Sequence, residues 1–333
     1  SSIFAGCIKW VTEYRNNNIW VFMLLPIVGV AIVFMYQIID PHDGGTNQVL
    51  STIRSRGDVP LKAAPLIFVS TLLTHLTGGS AGREGASIQF GGSIGNWLGK
   101  LVKLDEFDHH VMIMCGMSAA FAAVFGTPMA AAVFAMEVVS VGVMYYAALL
   151  PCVVASIIAA EFATGMGIDP ETFSVTRIPA LTVETGFKMA IISVGCAMVS
   201  IMFCIALKFV AKIYGKYLKN LYVRVFVTGC VVIAITMILN TKDYMGAGNE
   251  LIARAIETGQ ARPLDFLWKM ILTAVTMRAG YRGGEIVPAF SVGATFGCVA
   301  GQLLGFQPEL ASAAGMVALF CGVTNCPITS MLI

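Results

Sequence analysis

The apolar stretches of this chain are rich enough for lipid, yet Gly or Pro interrupts many of them before a full membrane crossing is complete. A hydrocarbon core about 30 Å thick asks for roughly 20 apolar residues per helix. Candidate spans lie near Ile19–Tyr36, Pro60–Leu76, Val111–Ala123, Ala130–Met144 and Ala147–Phe162, then near Phe187–Val210, Val225–Ile238, Leu267–Thr276, Pro288–Leu304 and Ala311–Val323. A simple bundle of long spanning helices does not produce that pattern. Short, broken segments in matching positions of two halves predict a transporter whose site lies where the helices break.

Composition supports lipid over water as the solvent. The chain is 57% hydrophobic and 12% charged, whereas soluble domains carry about 25% charged residues. Its net charge of +2, with no basic cluster on a polar face, excludes a nucleic-acid partner. Nine cysteines sit singly in apolar runs with no C-x-x-C pair, and read as small buried hydrophobes. No H-E-x-x-H, Walker loop or metal cluster occurs, so neither a metal nor a cofactor is expected. The chain opens on Ser1-Ser2 and stops at Ile333 inside an apolar run, so a longer parent protein is expected.

The two halves repeat each other. Gly91, Gly95 and Gly99 stand four apart, as do Gly293, Gly297 and Gly301, each 202 positions later. Ser93 and Thr295 keep the same offset. Gly116 leads to Pro128 in twelve steps, and Gly315 leads to Pro327 in twelve steps. The ladders alone fit close packing of small-residue faces in lipid; an internal duplication accounts for all of it together. The expected layout is a first membrane repeat over 1–146, a connection with a further span over 147–185, and a second, C-terminally incomplete repeat over 186–333.

The strongest local signal precedes the first ladder, at Gly78-Gly79-Ser80-Ala81-Gly82-Arg83-Glu84-Gly85-Ala86-Ser87. A helix starting near Glu84 would aim its free N–H groups and positive dipole end at an anion. The duplicate stretch, Arg282-Gly283-Gly284-Glu285-Ile286-Val287-Pro288, precedes the second ladder. Two such ends facing each other would form one anion path. A carboxylate at membrane depth costs roughly 2.5–3.5 kcal/mol on insertion scales, which marks Glu84 and Glu285 as functional candidates. The bland alternative is a glutamate capping its helix at the water interface. Burial favours the neutral form of a carboxyl, so either side chain could carry a proton as well as block an anion.

Gly82-Arg83-Glu84-Gly85 resembles the G-K/R-E-G-P signature of the CLC family of chloride channels and proton-coupled anion transporters, with Ala86 in place of proline. Gly284-Glu285-Ile286-Val287-Pro288 resembles that family's G-x-F-x-P signature, and Ala119-Ala120-Phe121 through Glu137-Val138 resembles the end of its first repeat. The resemblance implies an all-α integral membrane fold of the cell membrane. It would be built as an inverted repeat of short, tilted and broken transmembrane helices, and would form a homodimer in the lipid bilayer. It assigns gating and proton transfer to Glu84 and Glu285. Anion contacts fall to Arg83, Gly85, Glu285 and Ile286, with Thr46 and Asn47 in the region of the third signature.

The departures bear on the transported ion. Where the family's third signature reads G-S-G-I-P, this chain reads Gly44-Gly45-Thr46-Asn47-Gln48. The internal proton glutamate of chloride-type exchangers falls on Val138. Glu285 within the second signature and Asn47 in the third are similar to the fluoride/proton antiporter branch. Thr46 offers a hydroxyl like the chloride-type serine, so a chloride channel or a chloride/proton exchanger stays open. Tyr244-Met245-Gly246-Ala247-Gly248-Asn249-Glu250 echoes the Gly44–Asn47 region, and reads equally well as a polar loop. Gly78-x-Ser80-x-Gly82 also fits an intramembrane serine protease elbow. Such an enzyme needs a base, and the histidines are His42, His75, His109 and His110, the last two in a polar connection. A transporter, not an enzyme, is the expectation.

Overall fold

The computed structural model describes residues 2–41, 43–54, 59–139, 142, 144–168, 172–175, 179–180 and 182–333. Among these residues every regular element is a helix, and the only β pairing is an isolated antiparallel bridge between Gly82 and Gly284. The first half runs α1 Ser2–Asn17, then a 3-10 turn Ile19–Leu24 leading into α2 Leu25–Ile39. It continues with α3 Thr46–Arg54, α4 Ala63–Leu76, α5 Glu84–Val102, α6 Glu106–Phe125, α7 Pro128–Glu137 and α8 Leu149–Gly165. The second half runs α9 Val183–Tyr217, α10 Leu221–Leu239, α11 Asn249–Glu257, α12 Asp265–Ala279, α13 Ile286–Leu303, α14 Pro308–Thr324 and α15 Pro327–Leu332.

The order of elements repeats. A nine-residue helix (α3, α11) leads to a short apolar helix (α4, α12), a Gly-rich turn and a glycine-laddered helix (α5, α13). Next come a helix of similar length (α6, α14), a residue of positive φ (Gly126, Asn325), and a proline opening the last helix (α7, α15). Both halves use the same stop-and-restart chemistry, since a left-handed residue ends one helix and proline suits the first turn of the next.

The ladders work by close approach. α5 lies along α6 and α13 along α14. A Cβ on Gly91 would run into the carbonyl of Gly116, and one on Gly293 into the carbonyl of Gly315. Only hydrogen at these positions lets backbones touch, as small-residue faces do in lipid. Phenylalanine rings join the two halves behind the site: Phe134 lies 6.1 Å from Phe320, and Phe125 lies 6.0 Å from Phe290.

Six helical stretches among the described residues are long and apolar enough to cross a bilayer. The outer faces of α8, α9 and α10 expose Ile158, Phe162, Phe187, Ile205, Phe209 and Val231, a surface for lipid rather than water. By contrast α5 is buried along much of its length. Its glycine, serine and asparagine content kept it from reading as a span, because protein rather than lipid surrounds it. Helices α1, α3 and α11 were missed for their mixed polarity. The expected span Ala130–Met144 is shorter: α7 ends at Glu137. That carboxylate accepts hydrogen bonds from Ile328 N (3.0 Å), Thr329 N (2.9 Å) and Thr329 Oγ1 (2.7 Å), capping α15. Of the cysteines, all free, Cys152, Cys196, Cys298 and Cys326 are buried as expected, whereas Cys7, Cys115, Cys204 and Cys321 are only partly buried and Cys230 is exposed on α10.

Candidate anion site at two facing helix starts

Two glycine turns carry the site, and they bond to each other. Gly82 N–H donates to the Gly284 carbonyl at 2.7 Å, and Gly284 N–H returns a bond to Gly82 at 2.6 Å. Neither glycine has room for a side chain. A Cβ on Gly284 would sit 2.6 Å from the Gly85 nitrogen, and one on Gly82 would meet Pro288 Cδ at 2.9 Å. On its other edge the first turn pairs with the turn after α10: Ala81 N–H donates to Gly246 O, and Gly246 N–H to Gly79 O, both at 3.2 Å. The turn from Tyr244 to Gly248, ahead of α11, is thus a structural partner of the site turn.

From this clamp α5 starts at Glu84 and α13 at Ile286, with Glu285 as the N-cap residue of α13. Pro288 has no N–H, so the donors left at the start of α13 are those of Glu285, Ile286 and Val287. The Val287 N–H donates to Glu84 Oε2 at 3.4 Å. Glu84 is 1% exposed. Its carboxylate belongs to the first turn of α5 and reaches across to the start of α13. It is therefore seated at a helix N-terminus of the kind that favours an anion. The alternative of a cap at the water interface does not describe this buried side chain. Val287 carries the contact, a residue that sequence analysis did not single out.

The other candidates fall as follows. Gly85 lies against Gly283 and Gly284, and its carbonyl accepts from Thr46 Oγ1 at 3.0 Å. Ile286 is buried at the first turn of α13. Arg83 is half-buried and lines a cavity of about 450 Å³ together with Arg15, His75, Lys242 and Gly248. Glu285 contributes its backbone to the start of α13, but its carboxylate turns away to Arg278 on α12, Oε1 to Nη2 2.8 Å. The backbone of Asn47 belongs to α3, and its side chain lies outside the described residues, as does His42. The turn before α3 is anchored by Asp43, which accepts from Gln89 Nε2 at 2.7 Å and pairs with Arg282 at 3.0 Å.

Ser80, the serine of the elbow motif, is buried in a local polar cluster. Its hydroxyl contacts Thr273 Oγ1 at 2.9 Å and receives a bond from Lys269 Nζ at 3.0 Å. The lysine also donates to Tyr244 O at 3.0 Å and Gly246 O at 2.7 Å. Ser80 and Lys269 are 1% and 0% exposed, so the pair is closed to solvent in this structure. Lys269 itself went unnoticed in the sequence, where it is one charge in an apolar segment. Among the described residues no group of three or more His, Cys, Asp or Glu side chains could hold a metal.

A multi-pass helical membrane protein with two broken-helix N-termini meeting over a buried carboxylate belongs to the class that moves anions through lipid. The family model described as voltage gated chloride channel matches residues 28–333, and this chain belongs to that family, the CLC proteins. A chloride/fluoride channel protein of Pseudomonas syringae pv. tomato is 32% identical over 100% of this chain and 75% of its own length. An H(+)/Cl(−) exchange transporter of Vibrio cholerae is 24% identical over 76% of this chain and 57% of its own. The crystal structure of a CLC-type fluoride/proton antiporter superposes with a TM-score of 0.92 at 31% identity, covering 98% of this chain and 84% of that one. A slow cyanobacterial Cl−/H+ antiporter shares the fold, with a TM-score of 0.84 at 18% identity over 99% of this chain and 84% of that one.

Proposed function

We propose that this protein exchanges fluoride for protons, with Glu84 as the gate. The observation that carries the reading is the Glu84 carboxylate seated on the Val287 N–H at the start of α13. It occupies a place that suits an external anion, so anion and carboxylate compete for it. Protonation removes the charge that holds Glu84 there, and the side chain leaves. The anion is then held by the Glu285 and Ile286 amides, with Arg83, Gly85, Thr46 and Asn47 around the path. Glu285, paired with Arg278, relays the proton onward.

Fluoride is favoured over chloride by two features. Glu285 stands within the second signature, and the Thr46 hydroxyl donates its proton to the Gly85 carbonyl and so does not present it to an ion as a chloride-type serine would. The likeness to a protein described as a chloride/fluoride channel and to a solved fluoride/proton antiporter supports the same choice. A chloride/proton exchanger or chloride channel is the second reading, favoured by the Vibrio relative. The working unit in this proposal is a homodimer in a lipid bilayer, with repeats 1–146 and 186–333 in each subunit and no enzymatic activity. The test is efflux from liposomes holding the complete protein, followed with fluoride, chloride and pH electrodes. Fluoride efflux with stoichiometric proton uptake is expected. Chloride efflux at an equal or greater rate would overturn the fluoride choice, and a flat pH trace would overturn antiport.

A further inference from the structure

Helix α9 runs for 35 residues, more than a bilayer crossing requires. Lys188 and Lys208 stand twenty positions apart on it, about 30 Å along the axis, which matches the hydrocarbon core. The helix continues past Lys208 and carries Lys212 and Lys216 at successive four-residue steps, on one side. Lys219 follows in the connection to α10, and all four lysines are exposed. The buried stripe of α9, formed by Val199, Phe203, Leu207 and Tyr214, faces the rest of the protein.

The two ends of α9 differ in charge. At its start Lys188 is neutralised by Glu184, Nζ to Oε1 2.8 Å. Its other end has no such partner. No Asp or Glu occurs between Glu184 and Asp243, and among the described residues none of the four lysines pairs with a carboxylate. Lys216 lies over the Tyr217 ring at 5.1 Å, a contact that leaves its charge in place. The neighbouring elements do not neutralise the lysines either. Helices α9 and α10 pack against α2, α12, α13 and α14. Asp40 at the end of α2 pairs with Lys62, Glu285 at the start of α13 with Arg278, and Asp265 of α12 with Arg254. Glu309, in the first turn of α14, follows closely on Gly305, whose carbonyl accepts from Lys188 at the opposite end of α9.

We propose that the tip joining α9 to α10 is a docking surface for the headgroups of anionic phospholipids in the leaflet it enters. Lipid phosphates supply the counter-charge that the protein leaves out, as anionic leaflets do for lysine clusters beside a membrane span. Lys208 marks the edge of the hydrocarbon, and Lys212, Lys216 and Lys219 follow at headgroup level. The face is mixed rather than polar, because Phe209, Ile213 and Tyr217 are exposed among the lysines. Such a mixture suits a bilayer interface, where rings and lysine stems lie in the apolar boundary and the ammonium groups reach the phosphates.

The test places the complete purified protein in vesicles of phosphatidylcholine and phosphatidylglycerol, with a spin-labelled form of each lipid reporting the fraction held at the protein surface. Native protein is expected to hold phosphatidylglycerol about threefold or more over phosphatidylcholine, and the preference shrinks as sodium chloride rises. Changing Lys208, Lys212, Lys216 and Lys219 together to Gln removes most of that preference, and changing them to Arg keeps it. Lys188→Gln, at the neutralised end, leaves it at the native level. The pair Lys216→Gln and Lys219→Gln lowers it part of the way, and carries the test where the fourfold variant fails to fold. Absence of a preference in native protein, or a native preference in the folded Gln variants, overturns the inference and leaves the lysines as a solvated face. An unchanged lipid preference together with a smaller oligomer in the Gln variants also overturns it, and assigns the stripe to a second copy of the chain.

Discussion

Gly82 and Gly284 exchange both of their backbone hydrogen bonds, at 2.7 and 2.6 Å, and so bind the two halves of the chain at the point where two helices begin. Everything proposed about the site depends on that pair. It sets the start of α5 against the start of α13, and it brings Glu84 Oε2 to the Val287 N–H across 203 positions of sequence.

The pair leaves no space for a methyl group. In Gly284→Ala the new Cβ meets the Gly85 nitrogen at 2.6 Å and Glu84 Oε2 at 3.0 Å. Overpacking of this kind costs about 1–3 kcal/mol, here concentrated on the gate. Anion efflux is expected to drop by about tenfold or more while the purified protein still elutes as a single species. Efflux at the native rate would show that the turns can part without consequence.

Glu84→Gln keeps the shape of the gate and removes its ability to take up a proton. Anion movement is expected to persist with no accompanying pH change. A proton-to-anion ratio equal to native would remove Glu84 from the scheme.

Glu285 and Arg278 form a pair with Oε1 and Nη2 2.8 Å apart, and both side chains are partly accessible, at 29% and 37%. An accessible pair of this kind contributes little stability, about 0–1 kcal/mol, so its loss is expected to spare folding. Glu285→Ala is expected to cut proton-coupled fluoride efflux by about tenfold or more at nearly unchanged melting temperature. Unaltered fluoride transport would place the inward proton step elsewhere.

Glu137 is the contrasting acid. It is buried, and its carboxylate accepts three hydrogen bonds from Ile328 and Thr329 at the start of α15. Replacing it leaves buried donors without partners, at about 1–3 kcal/mol. Glu137→Ala is expected to lower the melting temperature by several degrees and to keep the proton-to-anion ratio of the native protein. A changed ratio with native stability would reverse that assignment.

Much of this protein was legible before folding, because its signals are local. Glycines four apart, a Gly-rich turn ahead of a glutamate and a proline twelve steps after a glycine each act within a few turns of helix. Their repetition at a nearly constant offset exposed the duplication and both helix starts. Polarity misled where protein replaces lipid as the solvent, as along α5, and where a chain stops early to place a cap, as at Glu137.

Other relationships could be decided only by the tertiary structure. Gly82 meeting Gly284, Glu84 reaching Val287 rather than its own helix, Glu285 turning to Arg278 and Lys269 bonding to Ser80 and Gly246 join groups from separate elements. Three of these four relationships cross between the halves of the chain. Residue type and spacing limit what each side chain can do. Which opposite charge or backbone donor it finds depends on how the two halves close on each other, and no local periodicity carries that information.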